Sequence, residues 1–300
     1  MNKIRTILGA AIITAVIGTA HAEGDLKPFI LGNSEGSDMA SAVSVVKEKL
    51  AAAGFEIAGE YSPYDTATII VITNDELKSA AAKTDFGAFG AGTRVTITKG
   101  KDGSIQVAYT NPDYFGAVYR MQSNLSGVTS KLASALGNKG EYGPESGLSS
   151  EDLEDYQYKW LMPYFTDRLE LAEYDSQDKA VQAIEANLKA GKGGTAEVYR
   201  IDVPEQQATV FGVAMKGTPE ECAGDKYIMD SIDFKDTRST GHLPYEIVVK
   251  DGIAYALPAE FRIAISFPDL AMVGSNSFAG IMCAPGAIQA TLEAAAGGNS

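Results

Sequence analysis

Apolar side chains recur along this chain with two alternating periods. After Ser37-Asp38, the residues Val43, Val46 and Leu50 fall at i, i+3 and i+7, one face of a helix running to about Ala53. Ser37-Asp38 can cap it and Gly54 suits its stop. Residues 55–61 then read as a strand, and Pro63 and Asp65 as a turn. The β-branched run Thr68-Ile69-Ile70-Val71-Ile72-Thr73 reads as a second strand. Residues 75–82 suit a short helix and residues 85–92 a glycine-rich loop. Val95 and Ile97 alternate with Thr96 and Thr98, the period of a strand. The step Asp102-Gly103 turns that strand into a hairpin, and Pro112 ends the return strand. Residues 113–121 have no clear period. Val128, Leu132 and Leu136 mark a closing helix that ends at Gly137.

The same succession then returns. Val181, Ile184 and Leu188 repeat the i, i+3, i+7 face on a helix from about Ser176 to Lys189. Residues 197–203 read as a strand, and Ala208-Thr209-Val210-Phe211-Gly212-Val213 echoes Ala67-Thr68-Ile69-Ile70-Val71. A longer irregular segment, 215–241, leads to a strand over 245–249 and the turn Lys250-Asp251-Gly252. The steps Ala254-Tyr255, Pro258 and Phe261 keep the spacing of Ala108-Tyr109, Pro112 and Phe115. Residues 261–267 read as a further strand. Pro268-Asp269 also resembles Pro112-Asp113, so two registers stay open there. Ile288, Leu292 and Ala296 close the copy as Val128, Leu132 and Leu136 close the first. The pattern predicts an α+β protein of two tandem units, each an antiparallel sheet with two helices on one face. The first repeat spans 23–140 and the second 169–300. Between them, residues 141–168 form an acidic and aromatic linker. Glu151, Asp152, Glu154 and Asp155 suit a helix start, and Tyr156, Tyr158, Trp160 and Tyr164 should pack back on a unit.

The N-terminus does not belong to this scheme. Lys3 and Arg5, a short apolar run from Ile7 to Ile17 and Ala20-His21-Ala22 read as a secretory signal peptide over residues 1–22. The run is too short to span a bilayer. The mature chain should begin at Glu23, in the periplasm or secreted, with no membrane insertion after cleavage. Losing Lys3 and Arg5 takes the formal net charge from −14 to −16. Such acidity disfavours nucleic acid and anionic lipid surfaces and favours a cationic or apolar partner.

Candidate chemistry is sparse. Beyond the signal peptide, His242 is the only histidine, so no histidine metal site is expected, and neither is a cofactor. No G-x-S-x-G elbow accompanies it. Asp85-Phe86-Gly87 stands without a phosphate loop, and Gly191-Lys192-Gly193-Gly194-Thr195 lacks the first glycine of a nucleotide loop. The only cysteines, Cys222 and Cys283, share the second repeat, and in an oxidising compartment they predict a disulfide.

The order of helix, Gly-Phe, two strands and a hairpin ending in Asn-Pro resembles the bacterial domain-of-unknown-function family numbered 302. The residues that carry the likeness are Leu50 to Phe55, Val95 to Thr98 and Val107 to Pro112, and the second repeat follows it more loosely. The resemblance implies a fold similar to the TATA-binding-protein-like class and no particular activity. A sheet gripping helices leaves an apolar cleft, a default ligand site. The recurring Tyr109, Phe115, Tyr255 and Phe261, with His242, are therefore the candidate ligand-binding residues. The expected function is that of a non-catalytic binding or accessory protein for a small apolar ligand or a cationic protein. The alternative is a periplasmic enzyme using acid–base or thiol chemistry.

Overall fold

A computed structural model of the chain describes residues 25–298. The expected signal peptide and Glu23 lie outside them. The first unit runs β1 (Phe29–Leu31), α1 (Met39–Ala52), β2 (Glu56–Tyr64), β3 (Ala67–Thr73), α2 (Asp75–Ala81), β4 (Thr93–Lys99), β5 (Ile105–Thr110), α3 (Pro112–Val118) and α4 (Ser126–Leu136). A connecting segment carries β6 (Glu141–Tyr142) and α5 (Ser150–Glu154). The second unit runs β7 (Leu169–Glu173), α6 (Gln177–Lys189), β8 (Thr195–Val203), β9 (Ala208–Met215), α7 (Asp225–Ile232), β10 (Tyr245–Lys250), β11 (Ile253–Ala256), α8 (Ala259–Ser266) and α9 (Ala284–Ala296). The element types of the first unit recur in the second in the same order. The fold is α+β, with antiparallel strand pairing throughout the ladder.

Local chemistry explains the helices. Asp38 caps α1 in a reciprocal capping box with Ser41, and Ser176 accepts the Lys179 N–H at the start of α6. The expected faces are the buried ones: Val46 and Leu50 on α1, with Val43 half-buried, Val128, Leu132 and Leu136 on α4, Val181, Ile184 and Leu188 on α6, and Ile288, Leu292 and Ala296 on α9.

The strands do not form two separate sheets, as tandem units would suggest. They join in one, ordered β6-β1-β5-β4-β3-β2-β8-β9-β10-β11-β7. Outward from the β2–β8 junction, corresponding strands of the two units follow in the same order, with β6 as the one addition. The junction is narrow, with Gly59 opposite Tyr199, and both strands bulge there. A Cβ on Gly59 would lie 2.0 Å from the Val198 carbonyl oxygen, so only glycine lets the strands approach. The Tyr199 ring lies over Gly212 on the next strand, where a Cβ would be 2.1 Å from it.

The joined sheet curls back on itself. β4 and β10 stand five positions apart in the strand order, about 24 Å in a flat sheet. Yet Arg94 on β4 forms an ion pair with Glu246 on β10, and Thr98 Oγ1 lies 2.9 Å from Thr240 Oγ1. The alternation of Val95 and Ile97 with Thr96 and Thr98 therefore has no wet face. Helices cover one side, the other unit covers the other, and both threonines are buried. The same burial on both sides makes every residue of β3 inaccessible.

Two open readings are resolved and three local expectations corrected. Residues 113–121 open with the helix α3, which Pro112 starts and the Asn111 side chain caps. Residues 261–267 are helical rather than extended. All of α8 but Glu260 is buried, so its apolar run shows no amphipathic period. Pro258 and Pro112 each stand at the start of the helix after their hairpin strand, which settles the register against Pro268. The segment 215–241 is not wholly irregular, since it contains α7. In the linker, Tyr156 and Tyr158 do pack back, donating to the carbonyls of Ala264 and Leu270, but Trp160, at 84%, and Tyr164 are exposed. No helix among the described residues is long and apolar enough to cross a membrane.

Candidate ligand cavity

The structure does not bring Tyr109, Phe115, Tyr255, Phe261 and His242 into one site. Tyr109 is fully buried beneath the helices, its hydroxyl donating to the Gly137 carbonyl at 3.0 Å. Phe115 and Phe261 belong to an aromatic chain that seals the two units together. Phe115 contacts Tyr119 at 5.8 Å, Tyr119 contacts Phe165 at 5.7 Å, and Phe165 contacts Phe261 at 6.2 Å. Tyr255 is half-buried, edge-on to Phe86 at 4.8 Å. Large apolar rings that recur in both units are recurring core, because each unit must bury the same hairpin. His242, expected in a loop, is fully buried in a 3-10 turn at Thr240–His242. Its Nδ1 lies 3.1 Å from Ser266 Oγ and its Nε2 3.0 Å from the Tyr245 hydroxyl. Burial, reinforced by the charges of Arg262 and Arg94, holds its pKa well below the ordinary value, so the ring is neutral.

A cavity of about 430 Å3 opens where the second unit departs from the first. Residues 82–86 suffice to lead from α2 to the 3-10 turn Gly87–Gly90, but 233–239 are needed to lead from α7 to Thr240–His242. Likewise 119–125 join α3 to α4, whereas 267–283 join α8 to α9. Both longer loops line the cavity, with Tyr142 and Gly143 of the connecting segment as the third wall. Cys222 and Cys283, at disulfide distance with Cα atoms 5.9 Å apart, clamp the chain before α7 to the chain before α9. The clamp thus brackets both loops.

The loop 233–239 is held at intervals. Gln106 accepts the Arg238 N–H at 2.8 Å and donates to its carbonyl at 2.7 Å, completing both backbone groups as a strand would. The Tyr142 hydroxyl donates to the same carbonyl at 2.8 Å. Lys235 Nζ donates to the Gly143 carbonyl at 3.0 Å and pairs with Asp269 at 2.5 Å. Between these anchors Phe234 stands 46% exposed over the cavity. Ile232, Phe267 and Leu270 form apolar walls, and Ser239 and Ser266 supply buried hydroxyls. On the far side of the loop, a polar groove of about 790 Å3 runs along the first hairpin turn, past Lys99, Lys101 and Asp102.

Two buried carboxyl groups bracket α7. Asp225 accepts the Met215 N–H at 3.0 Å through Oδ2 and lies beside the Tyr61 hydroxyl. Burial raises its pKa to about 8, against the lowering effects of that bond and of the Tyr61 hydroxyl. Asp233 accepts the Ser239 N–H at 2.9 Å and has Arg238 Nε 3.2 Å from Oδ2. Burial raises it to about 6 and outweighs the arginine. A carboxyl raised in the folded state binds a proton there that the unfolded chain releases. Its stabilisation is complete below the unfolded value near 3.8 and is lost as pH rises through the folded value of about 8 for Asp225. Urea unfolding should therefore show the wild type losing about 1 kcal/mol per pH unit between pH 5 and 8 relative to Asp225→Asn. A variant that runs parallel to the wild type across that range would contradict the assignment.

Ser266 and His242 could suggest acyl transfer, but the surroundings do not support it. Ser266 ends α8, where the helix dipole is negative, and the following Phe267 N–H is already bonded to Ile263 at 2.8 Å. No oxyanion donor is offered there. Among the described residues no cluster of His, Cys, Asp and Glu could hold a metal ion. Compared with family models, curated proteins and solved structures, the chain matches none. Sequence reasoning missed Tyr142, Asp233, Phe234 and Ser266. The available signal was the extra length of 215–241 and 268–283 over their first-copy counterparts.

Proposed function

We propose that this chain is an exported binding protein that holds a small organic ligand in the cavity between loops 233–239 and 267–276. One observation carries the reading: the cavity forms where 267–283 replaces the much shorter 119–125 of the first copy and packs against the loop 233–239. Core elements common to both units are explained by packing, whereas long added loops on a rigid scaffold are where recognition resides. The volume of about 430 Å3 falls within the range of small-molecule sites, and apolar walls with a few buried polar groups are their usual make-up. A paired Cys222 and Cys283 suits an oxidising compartment such as the periplasm and leaves no thiol for the alternative thiol enzyme. The likeness to the family numbered 302, taken as the parentage of each unit, adds no activity.

The neutral apolar probe N-phenyl-1-naphthylamine tests the reading. Its fluorescence should rise on binding to the wild type with a stoichiometry of one. Ala271→Trp, which fills a wall of the cavity, should abolish the rise without lowering the melting temperature. Equal enhancement by both proteins, or none by the wild type, would overturn the site.

A further inference from the structure

Trp160 is the only tryptophan of the chain, and the fold does not bury it. It stands with Leu161 at the tip of a turn that the Met162 N–H closes on the Lys159 carbonyl at 2.9 Å. Leu161 is 77% exposed and has a φ of 70°. The third position of a turn with positive φ usually takes glycine, because a side chain there crowds its own backbone. Leucine is therefore displayed at a backbone cost and gains little packing in return. The turn is also firmly seated. Gln157 Nε2 donates to the Met162 carbonyl at 2.8 Å, the Tyr158 hydroxyl donates to the Leu270 carbonyl, and the Tyr158 ring lies 5.0 Å from that of Phe278. Two large apolar side chains on a fixed backbone make a preformed anchor for another molecule, since little ordering remains to be done on binding.

The surroundings of the anchor set the chemistry of its occupant. A groove of about 960 Å3 reaches the base of the turn at Gln157 and Tyr158. Glu145, Asp152, Asp155 and Asp269 line it, with Lys235 as its one basic residue. Lys235 is already paired with Asp269, and Asp155 with Arg120. Glu145 and Asp152 have no ion pair among the described residues, and neither have Glu151 and Glu154, exposed on the same helix as Asp152. An apolar anchor beside unpaired carboxylates is complementary to a segment that is both basic and amphipathic. A second copy of this acidic chain would bring like charge, and so would an anionic lipid surface.

We propose that this face docks a basic amphipathic segment of a partner protein, its apolar side chains on Trp160 and Leu161 and its lysines or arginines over Glu145 and Asp152. The proposal does not depend on the cavity holding a ligand. Trp160 emission reads the test at the anchor itself, with no other tryptophan to interfere. The probes are a short helical peptide of leucine and lysine with one apolar stripe, and the same peptide with glutamate for lysine. The lysine peptide should shift the emission to the blue and saturate, and the glutamate peptide should do neither. Leu161→Gly should weaken the lysine peptide by roughly tenfold or more while keeping or raising the melting temperature, since glycine relieves the backbone. Glu145→Gln/Asp152→Asn should weaken it too and flatten its dependence on salt. An unshifted emission with the lysine peptide, or equal binding of both peptides, would overturn the proposal. Leu161→Gly that binds as the wild type does, or that melts lower, would make the residue structural and overturn it as well. So would a blue shift produced by phosphatidylcholine vesicles and not by the lysine peptide, or one that appears on concentrating the protein alone.

Discussion

Glu246→Gln is expected to lower the unfolding free energy by about 3–5 kcal/mol, as breaking a buried ion pair from one side does. Three charged side chains meet between the curled halves of the sheet: Arg94 at 3% exposure, Glu246 at 3% and Arg262 at 1%. Glu246 pairs with Arg94 through Oε1 and with Arg262 Nε at 3.1 Å through Oε2. Arg262 is otherwise well supplied, donating to the carbonyls of His242 at 2.8 Å and Pro244 at 3.0 Å. Arg94 donates to no backbone carbonyl among the described residues and relies on Glu246 for its counter-charge. Removing the carboxylate charge leaves two guanidinium groups facing each other away from water. The amide keeps the shape, so the loss reports charge rather than volume. Replacing all three by Met, Leu and Met should by contrast cost little, because no uncompensated charge remains. Guanidinium chloride unfolding of both variants decides the matter. A Glu246→Gln protein within 1 kcal/mol of the wild type would mean that Glu246 is not the counter-charge holding the units together.

Cys222→Ala/Cys283→Ala should lower stability by about 4 kcal/mol on the loop-entropy account. The bridge closes a loop with a sequence separation of 61 that contains α7, β10, β11, α8 and both cavity loops. Opening it frees the unfolded chain and also unties the two walls of the cavity from each other. The double variant should therefore lose N-phenyl-1-naphthylamine binding at temperatures where its far-ultraviolet circular dichroism is still native. Dithiothreitol should do the same to the wild type. If fully reduced protein, with two thiols titrated, unfolds at the same denaturant concentration, the clamp contributes nothing to the fold.

Local physics made much of this fold legible. Helices α1, α4, α6 and α9 declare themselves because each buries one stripe against a sheet and wets the other, which leaves a period in the sequence. The hairpin turns at Asp102-Gly103 and Asp251-Gly252 declare themselves because few residue pairs tolerate that backbone. The duplication follows from both. Helices α3 and α8 were missed for the converse reason. Enclosed by the other unit, α8 has no wet side, and a helix buried all round carries no period to read.

The sequence by itself determined the α+β class, the helices α1, α4, α6 and α9 with the two hairpins, and the confinement of both cysteines to the second copy. These depend on contacts within a few residues, or on counts. Tertiary structure alone decided that the two sheets are one, that the threonine face of β4 is dry, and that His242 is a neutral core residue. It also decided that the cavity stands on the loops where the copies differ. Each of these rests on pairs far apart in the chain, such as Arg94 with Glu246, Gln106 with Arg238 and Cys222 with Cys283. No local pattern specifies which distant partner a buried polar group will meet, and these partners are what close the curled sheet and shape the site.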